Sequence, residues 1–235
     1  MVASQRGGKV PKSSVFVQFV DFVFSHLARM PSRVLEVGCG DGRLALALAA
    51  GSHDVTAIDP VAPDGPIFQR ITLDEFDASE RFDAVVASRS LHHVPDLDGA
   101  LEKIAQLAPL LIVEEFAWDR FDEPTAAWYL AHLDGPPKSV QHCMREWADE
   151  HAGLHGHEIL RSALDRRFRE RFFGWRPYLY RYPEVHASRE DEQAAIDAGA
   201  VNALGFRYVG ADELFPRRRS EQQRLVVERG GAPDD

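Results

Sequence analysis

The sequence predicts an α/β protein: a doubly wound, mostly parallel sheet with a mainly helical cap inserted after the fifth strand. Three observations carry that expectation. Short apolar runs alternate with helical stretches through the first half of the chain. The first of these runs opens through three glycines straight into a helical stretch, VLEVGCGDGR. Strand signals then weaken from about residue 116 to 191, where aromatics and histidines multiply, and return near the C-terminus.

Taken in order, residues 1–14 read as a flexible leader and 14–30 as an amphipathic helix, although its Phe and Val content lowers intrinsic helix propensity. Pro31 and Ser32 end it. Residues 33–37 are β-branched and almost continuously apolar, as a buried parallel strand demands. Residues 43–50 read as a helix with Gly51 as its stop. A second strand covers 54–59 and ends on an acid before Pro60. A short third strand lies around 69–73. A fourth, at 82–88, leads into a loop carrying Arg89, His92 and His93. Residues 96–107 read as a helix and 109–115 as the fifth strand, an alternation that implies right-handed crossovers. The cap is placed at 117–190, with helical patterns near 123–133 and 140–168. Residues 193–204 look helical, and 205–210 and 223–228 look like two final strands returning to the sheet edge. Residues 15–229 form one expected domain, followed by a disordered tail at 230–235.

A chain of 235 residues, 45% of them hydrophobic, can bury a full core. Its net charge of −10 argues against nucleic-acid and anionic-membrane partners, because phosphate contacts need Lys and Arg. Basic clusters at Arg166, Arg167, Arg169 and Arg171, and at Arg217, Arg218 and Arg219, are interleaved with acids and read as solvated surface or salt-bridge partners. Two cysteines, Cys39 and Cys143, support no disulfide framework and suit a reducing compartment. The segment VFVQFVDFVFSHL is polar-interrupted and too short to span a bilayer. A soluble cytoplasmic protein is expected; the sequence does not specify its oligomeric state.

The glycines identify the ligand class. Glycine permits a tight turn and lets a ligand touch the main chain. The spacing is G-x-G-x-G, with Arg43 where a nicotinamide-binding G-x-G-x-x-G carries its third glycine. No Lys-Ser or Lys-Thr follows, so the turn is not a P-loop. Asp59, ending the next strand, stands beside the turn, where it can accept hydrogen bonds from both hydroxyls of a ribose.

In these residues the chain resembles the class I S-adenosylmethionine-dependent methyltransferases, whose fold is a Rossmann-like seven-stranded sheet. Residues 36–42, EVGCGDG, match the family's first motif, and Asp59 matches its acid after the second strand. Residues 82–86 with Leu91-His92-His93-Val94 resemble the fourth strand and following loop of small-molecule members. The resemblance covers about 15–117 closely and 190–228 in outline, but not the middle block. It implies S-adenosylmethionine as cofactor, lying along Gly38, Cys39, Gly40 and Gly42. Glu36 would face the methionine end, Asp59 the ribose hydroxyls and Ser88 the methionine portion. Thr72 and Leu73, with Asp74 as the alternative, would supply the adenine contact.

Methyl transfer from a sulfonium needs an in-line nucleophile in a site that excludes water, and a base only for a protonated acceptor. The acceptor is expected beyond residues 88–93 and 114–118, at the carboxyl ends of the strands. His92, His93 and Arg89 are the candidate catalytic residues, and Glu115 and Trp118 the candidate substrate contacts. Arg89 suits an acceptor carboxylate or phosphate, or an ion pair with Glu114 or Glu115. The aromatics Trp128, Tyr129, Phe172, Phe173, Trp175, Tyr178 and Tyr180 suit a lid over a flat acceptor, most of them building the cap's own core. His142, Cys143, His151, His155 and His157 prompt a metal reading. Gly153 and Gly156 interrupt the helix it needs, the H-E-x-x-H spacing is lacking, and no metal is expected. The function expected is methyl transfer to a small-molecule acceptor; the alternative is a cofactor-binding protein of the same fold that does not methylate. Residues 87–90 read Ala-Ser-Arg-Ser, not the Asn-Pro-Pro-Tyr of enzymes that methylate nucleic-acid bases.

Overall fold

A computed structural model of the chain describes residues 13–77, 81–136 and 138–212. The expected leader up to residue 12, the strand at 223–228 and the tail at 230–235 lie outside the described residues. Strand β1 (Arg33–Val37) is buried along almost its whole length, as its β-branched run requires. It pairs in parallel with β2 (Asp54–Ile58) on one side and β4 (Ala84–Ser88) on the other. A two-residue β3 (Phe68–Gln69) extends the β2 side. On the other side β5 (Leu110–Phe116) follows in parallel, then β7 (Gly205–Ala211) and β6 (Arg169–Arg176), both antiparallel to their neighbours. The order is β3-β2-β1-β4-β5-β7-β6.

Period-two alternation sends the two faces of the sheet into different cores. Val34, Val86, Ile112 and Val209 meet α1 (Ser13–His26) and α2 (Arg43–Ala50). Leu35, Val37, Val85, Leu111 and Val113 meet α3 (Leu97–Leu107) and the later helix α6 (His157–Arg167). In α3, Leu97, Ala100, Leu101, Ile104 and Ala105 are buried at helical spacing, and the Asp96 side chain caps the first turn by accepting from the Gly99 amide at 3.0 Å. In α1 the low propensity of Phe and Val is outweighed by burial of Phe19, Val20 and Val23. That helix ends at His26, not at residue 30. The Ser25 hydroxyl and the His26 ring both bond the Phe22 carbonyl and compete with the helical ladder.

The cap is smaller than the block 117–190. It consists of α4 (Glu123–Ala131), α5 (Val140–Glu150) and a 3₁₀ turn at Leu179–Arg181, joined by α7 (Arg189–Asp197). Helix α6 and strand β6 fall inside that block yet belong to the sheet and its flanking layer. Leu160, Ala163, Leu164 and Phe168 lie in the core beneath α3. The reason β6 reads poorly from sequence is its edge position. Arg169, Glu170 and Arg171 are exposed and the rest only half-buried, so no apolar run marks it. Phe172, Phe173 and Trp175, expected in the cap, therefore pack against the sheet. The helix expected at 193–204 runs instead from Arg189 and starts at a capping box between Ser188 and Asp191.

Candidate functional site

The carboxyl ends of β1, β2, β4 and β5 share one edge of the sheet, and the strand order reverses between β1 and β4. Ligands of open α/β sheets bind at such a switch point. Here the glycine turn faces the loop after β4. Gly38, with φ of 74°, leaves room for the Ser90 side chain, which an added Cβ would meet at 2.3 Å. Ser90 donates its hydroxyl to the Val37 carbonyl at 2.8 Å, locking the two strand ends together. Gly40 differs: its φ is 52°, yet a Cβ there would meet nothing within 4 Å. The main chain at Gly40 is therefore open to a ligand.

Asp59 follows β2 and braces the turn. Its carboxylate accepts from the Gly40 amide at 2.9 Å and from the Val61 amide at 2.8 Å. A carboxylate has about four acceptor positions, so about two remain for hydroxyl donors. Glu36, on β1, is buried, and one of its oxygens has no hydrogen-bond partner. Burial pushes its carboxyl up to about 8, against a backbone hydrogen bond from Ala45, with Asp41 and Asp59 adding to the rise. An orphaned, enclosed carboxyl oxygen beside an open glycine fits a ligand that carries an ammonium group and ribose hydroxyls. Cys39 is buried between them, and burial first, then Glu36 and Asp59, push its thiol up to about 12, which leaves it unreactive. Thr72 and Leu73 lie just past β3, on the same edge as Asp59, whose amide donates to the Gln69 carbonyl at 3.2 Å. Thr72 is exposed but its amide and hydroxyl are both bonded to Glu75, while Leu73 is buried. Ser88, half-buried at the end of β4, is paired with Glu114 and lies on the same sheet face as Glu36.

On the opposite face Glu115 takes a different place from the substrate contact expected of it. It is fully enclosed and accepts from the Ser90 and Leu91 amides at 2.9 and 2.7 Å, from the Phe116 amide at 3.1 Å and from His92 Nδ1 at 2.5 Å. With every acceptor position used, it shapes the loop and holds the His92 ring in the tautomer that leaves Nε2 as the acceptor. His93 is exposed, its ring centre 4.1 Å from that of His92. Desolvation, then the neighbouring His92, hold the His93 pKa below its ordinary value. Either imidazole can accept a proton; the structure brings both to the loop. Trp118 stacks at 12° on His151 at 6.0 Å, and its indole Nε1 is enclosed without a partner.

Glu114, expected as a possible partner of Arg89, pairs elsewhere, and Arg181, Arg207 and Glu192, which sequence reasoning missed, tie the cap to the sheet. Glu114 is held between Arg181 at 2.7 Å and Arg207 at 2.8 Å, and Arg207 also packs over Phe19 and Phe22 of α1. Glu192 accepts from the amides of Tyr178, Leu179 and Tyr180 at 2.7, 3.1 and 2.9 Å and so fixes the turn above the β5 end. The capping box just before it was the available signal. Phe116, Phe121, Cys143, Trp147 and Leu179 build a separate cap core with Trp118, Trp128, Tyr129 and Tyr178 packed on it. Three histidines of the metal reading are spent locally, His151 on the Trp147 carbonyl, His155 on the Val94 carbonyl and His142 on Glu146, whereas His157 Nδ1 is buried without a hydrogen-bond partner. Among the described residues no group of three or more His, Cys, Asp or Glu side chains is placed to hold a metal. Nor is any described helix long and apolar enough to cross a membrane.

Fold and site together define a doubly wound α/β protein with an open glycine turn at its switch point. The chain belongs to the methyltransferase domain family, whose pattern matches residues 14–171. An uncharacterized methyltransferase of Mycobacterium tuberculosis is 37% identical over 89 residues, 32% of this chain and 44% of that one. A ubiquinone biosynthesis O-methyltransferase of Alkalilimnicola ehrlichii is 33% identical over 104 residues, 37% of this chain and 42% of that one. The chain thus spans less than half the length of the curated relatives it matches. Among solved structures, the N-methyltransferase NodS of Bradyrhizobium japonicum, in complex with S-adenosylhomocysteine, is similar with a TM-score of 0.53 at 15% identity, covering 86% of this chain and 87% of that one. The 1,6-didemethyltoxoflavin N1-methyltransferase of Burkholderia thailandensis gives 0.51 at 19% identity, covering 86% and 79%. At these identities the likeness shows the fold.

Proposed function

We propose that this protein transfers a methyl group from S-adenosylmethionine to a small-molecule acceptor. The observation that carries the reading is the enclosed, unpartnered Glu36 oxygen beside the open turn at Gly40. When bound, the cofactor supplies an electrophilic methyl group for in-line transfer. Glu36 would accept from its amino group, and the cation beside it would offset the cost of ionising the buried carboxyl. The main chain of Gly38, Cys39, Gly40 and Gly42 would lie along it, and the spare acceptor positions of Asp59 would take the ribose hydroxyls. Thr72 and Leu73 would flank the base, and Ser88 the methionine portion. On the acceptor side, His92 Nε2, oriented by Glu115, or His93 would take a proton from a protonated nucleophile. Trp118 would help exclude water.

The test is calorimetric titration of S-adenosylmethionine and S-adenosylhomocysteine into the wild type, Asp59→Ala and Asp59→Asn. Micromolar binding is expected for the wild type, with loss in Asp59→Ala and partial retention in Asp59→Asn, which keeps one acceptor oxygen. Failure of the folded wild type to bind either ligand would overturn the reading.

A further inference from the structure

The loop after β4 holds a cation, Arg89, that forms no ion pair among the described residues. Arg89 has a φ of 55°, unusual for a side-chain-bearing residue, held by its amide's 2.7 Å hydrogen bond to the Glu114 carbonyl. Two carboxylates lie next to it in the fold, and both are committed elsewhere: Glu114 to Arg181 and Arg207, Glu115 to His92 and three amides. Arg89 is exposed and has no ion-pair partner among the described residues, although its charge reaches Asp41 in the glycine turn. Its guanidinium stands beside the Tyr178 hydroxyl. The Tyr178 ring stacks on Phe116 at 4.2 Å and 12°. Arg181 also lies over that ring, 5.2 Å from its centre, with Nε enclosed and unpartnered. Arg176, whose charge is felt by Glu114 and Arg207, adds further positive charge there. In a chain of net charge −10, this local excess of guanidinium groups lies between the glycine turn and the cap, where the acceptor must enter.

Building on the methyl-transfer reading above, we infer that the acceptor is a small anion whose carboxylate or phosphate sits on the Arg89 guanidinium beside the Tyr178 hydroxyl. A planar guanidinium with a phenol alongside suits either oxyanion, since both present paired oxygens to a forked donor. The strained backbone aims the cation, and the Glu114 clamp keeps the neighbouring carboxylate from quenching it. The Phe116–Tyr178 stack supplies a flat wall for the body of the acceptor.

The experiment is titration of benzoate, phenyl phosphate and neutral benzamide into the protein saturated with S-adenosylhomocysteine, for the wild type, Arg89→Gln, Arg89→Lys and Tyr178→Phe. At least one anion should bind the wild type about tenfold more tightly than benzamide, and Arg89→Gln should lose about tenfold for that anion with little change for benzamide. Arg89→Lys should recover part of the loss, because it restores charge without the fork. The stronger of benzoate and phenyl phosphate tells which oxyanion the site prefers. Equal binding of all three probes, no binding of either anion, or wild-type anion affinity in Arg89→Gln would overturn the inference and leave the cofactor reading standing. Failure of the wild type to take up S-adenosylhomocysteine would bring down both.

Discussion

At the scale of single residues, the three glycines and Glu36 make different demands. Gly38 and Gly40 both adopt positive φ, but only Gly38 has a neighbour where its Cβ would be. Gly40→Ala should therefore cost about 1–2 kcal/mol of stability and still remove cofactor affinity. Gly38→Ala should cost more, because Ser90 and the β4 loop must move. Chemical denaturation beside ligand titration separates the two, and equal stability losses would contradict the open cradle at Gly40. Glu36, with its carboxyl at about 8, makes a second demand. Near pH 6 it is protonated before binding and ionised once an ammonium group sits on it, so uptake of S-adenosylhomocysteine should release about one proton. Affinity should rise with pH towards 8 and then level. Calorimetry in two buffers of different ionisation enthalpy measures the proton count, which Glu36→Gln should abolish. The glycines, Glu36 and Asp59 were legible because their spacing is local. The pairing of Glu114 with Arg207, 93 residues apart, has no local pattern to announce it.

At the scale of elements, the strands that read clearly are those buried on both faces. Strands β1, β2, β4 and β5 carry apolar runs because helices cover them on each side. Strand β6 lies at the edge and alternates charge, aromatic and glycine, so composition assigned it to the cap. The 3₁₀ turn at Leu179–Arg181 has no sequence period at all; it exists because Glu192 on α7 collects three of its amides. Burial raises the Glu192 carboxyl against those hydrogen bonds and the nearby Arg181. Glu192→Ala would orphan the three donors and should cost about 2–4 kcal/mol. It should also free Tyr178 from its place beside Arg89. Fluorescence-detected urea unfolding would register the loss, and a change below about half a kcal/mol would mean that solvent replaces the carboxylate there.

At the scale of the whole molecule, Glu36 and Glu114 pull stability in opposite directions as pH changes. Burial acts to raise the Glu114 carboxyl, but Arg181 and Arg207 together outweigh it and hold it below its ordinary value of 4.5. Its stabilising contribution is present above 4.5 and is lost as pH falls through the lower folded value. Glu36 is raised from 4.5 to about 8, so its contribution is complete below 4.5 and is lost as pH rises through 8. Melting temperature should therefore decline on both sides of the region around pH 4.5–5. Scanning calorimetry of Glu36→Gln should show a shallower decline between about pH 5 and 8 than the wild type, while the acid side is unchanged. A parallel decline in both proteins would assign the alkaline loss to other groups. The clamp on Glu114 also ties α1, the sheet and the cap into one unit, since Arg207 bonds the Gln18 carbonyl of α1 as well.

The Glu115 side chain carries one more consequence. A strand at the centre of the sheet reaches across to hold the amides of Ser90 and Leu91, while the Arg89 and His93 side chains of the same loop stay exposed. Those two hydrogens should exchange with deuterated water as slowly as the interior of β5, even before any ligand arrives. The acceptor side of the pocket would then form as part of the folding transition itself.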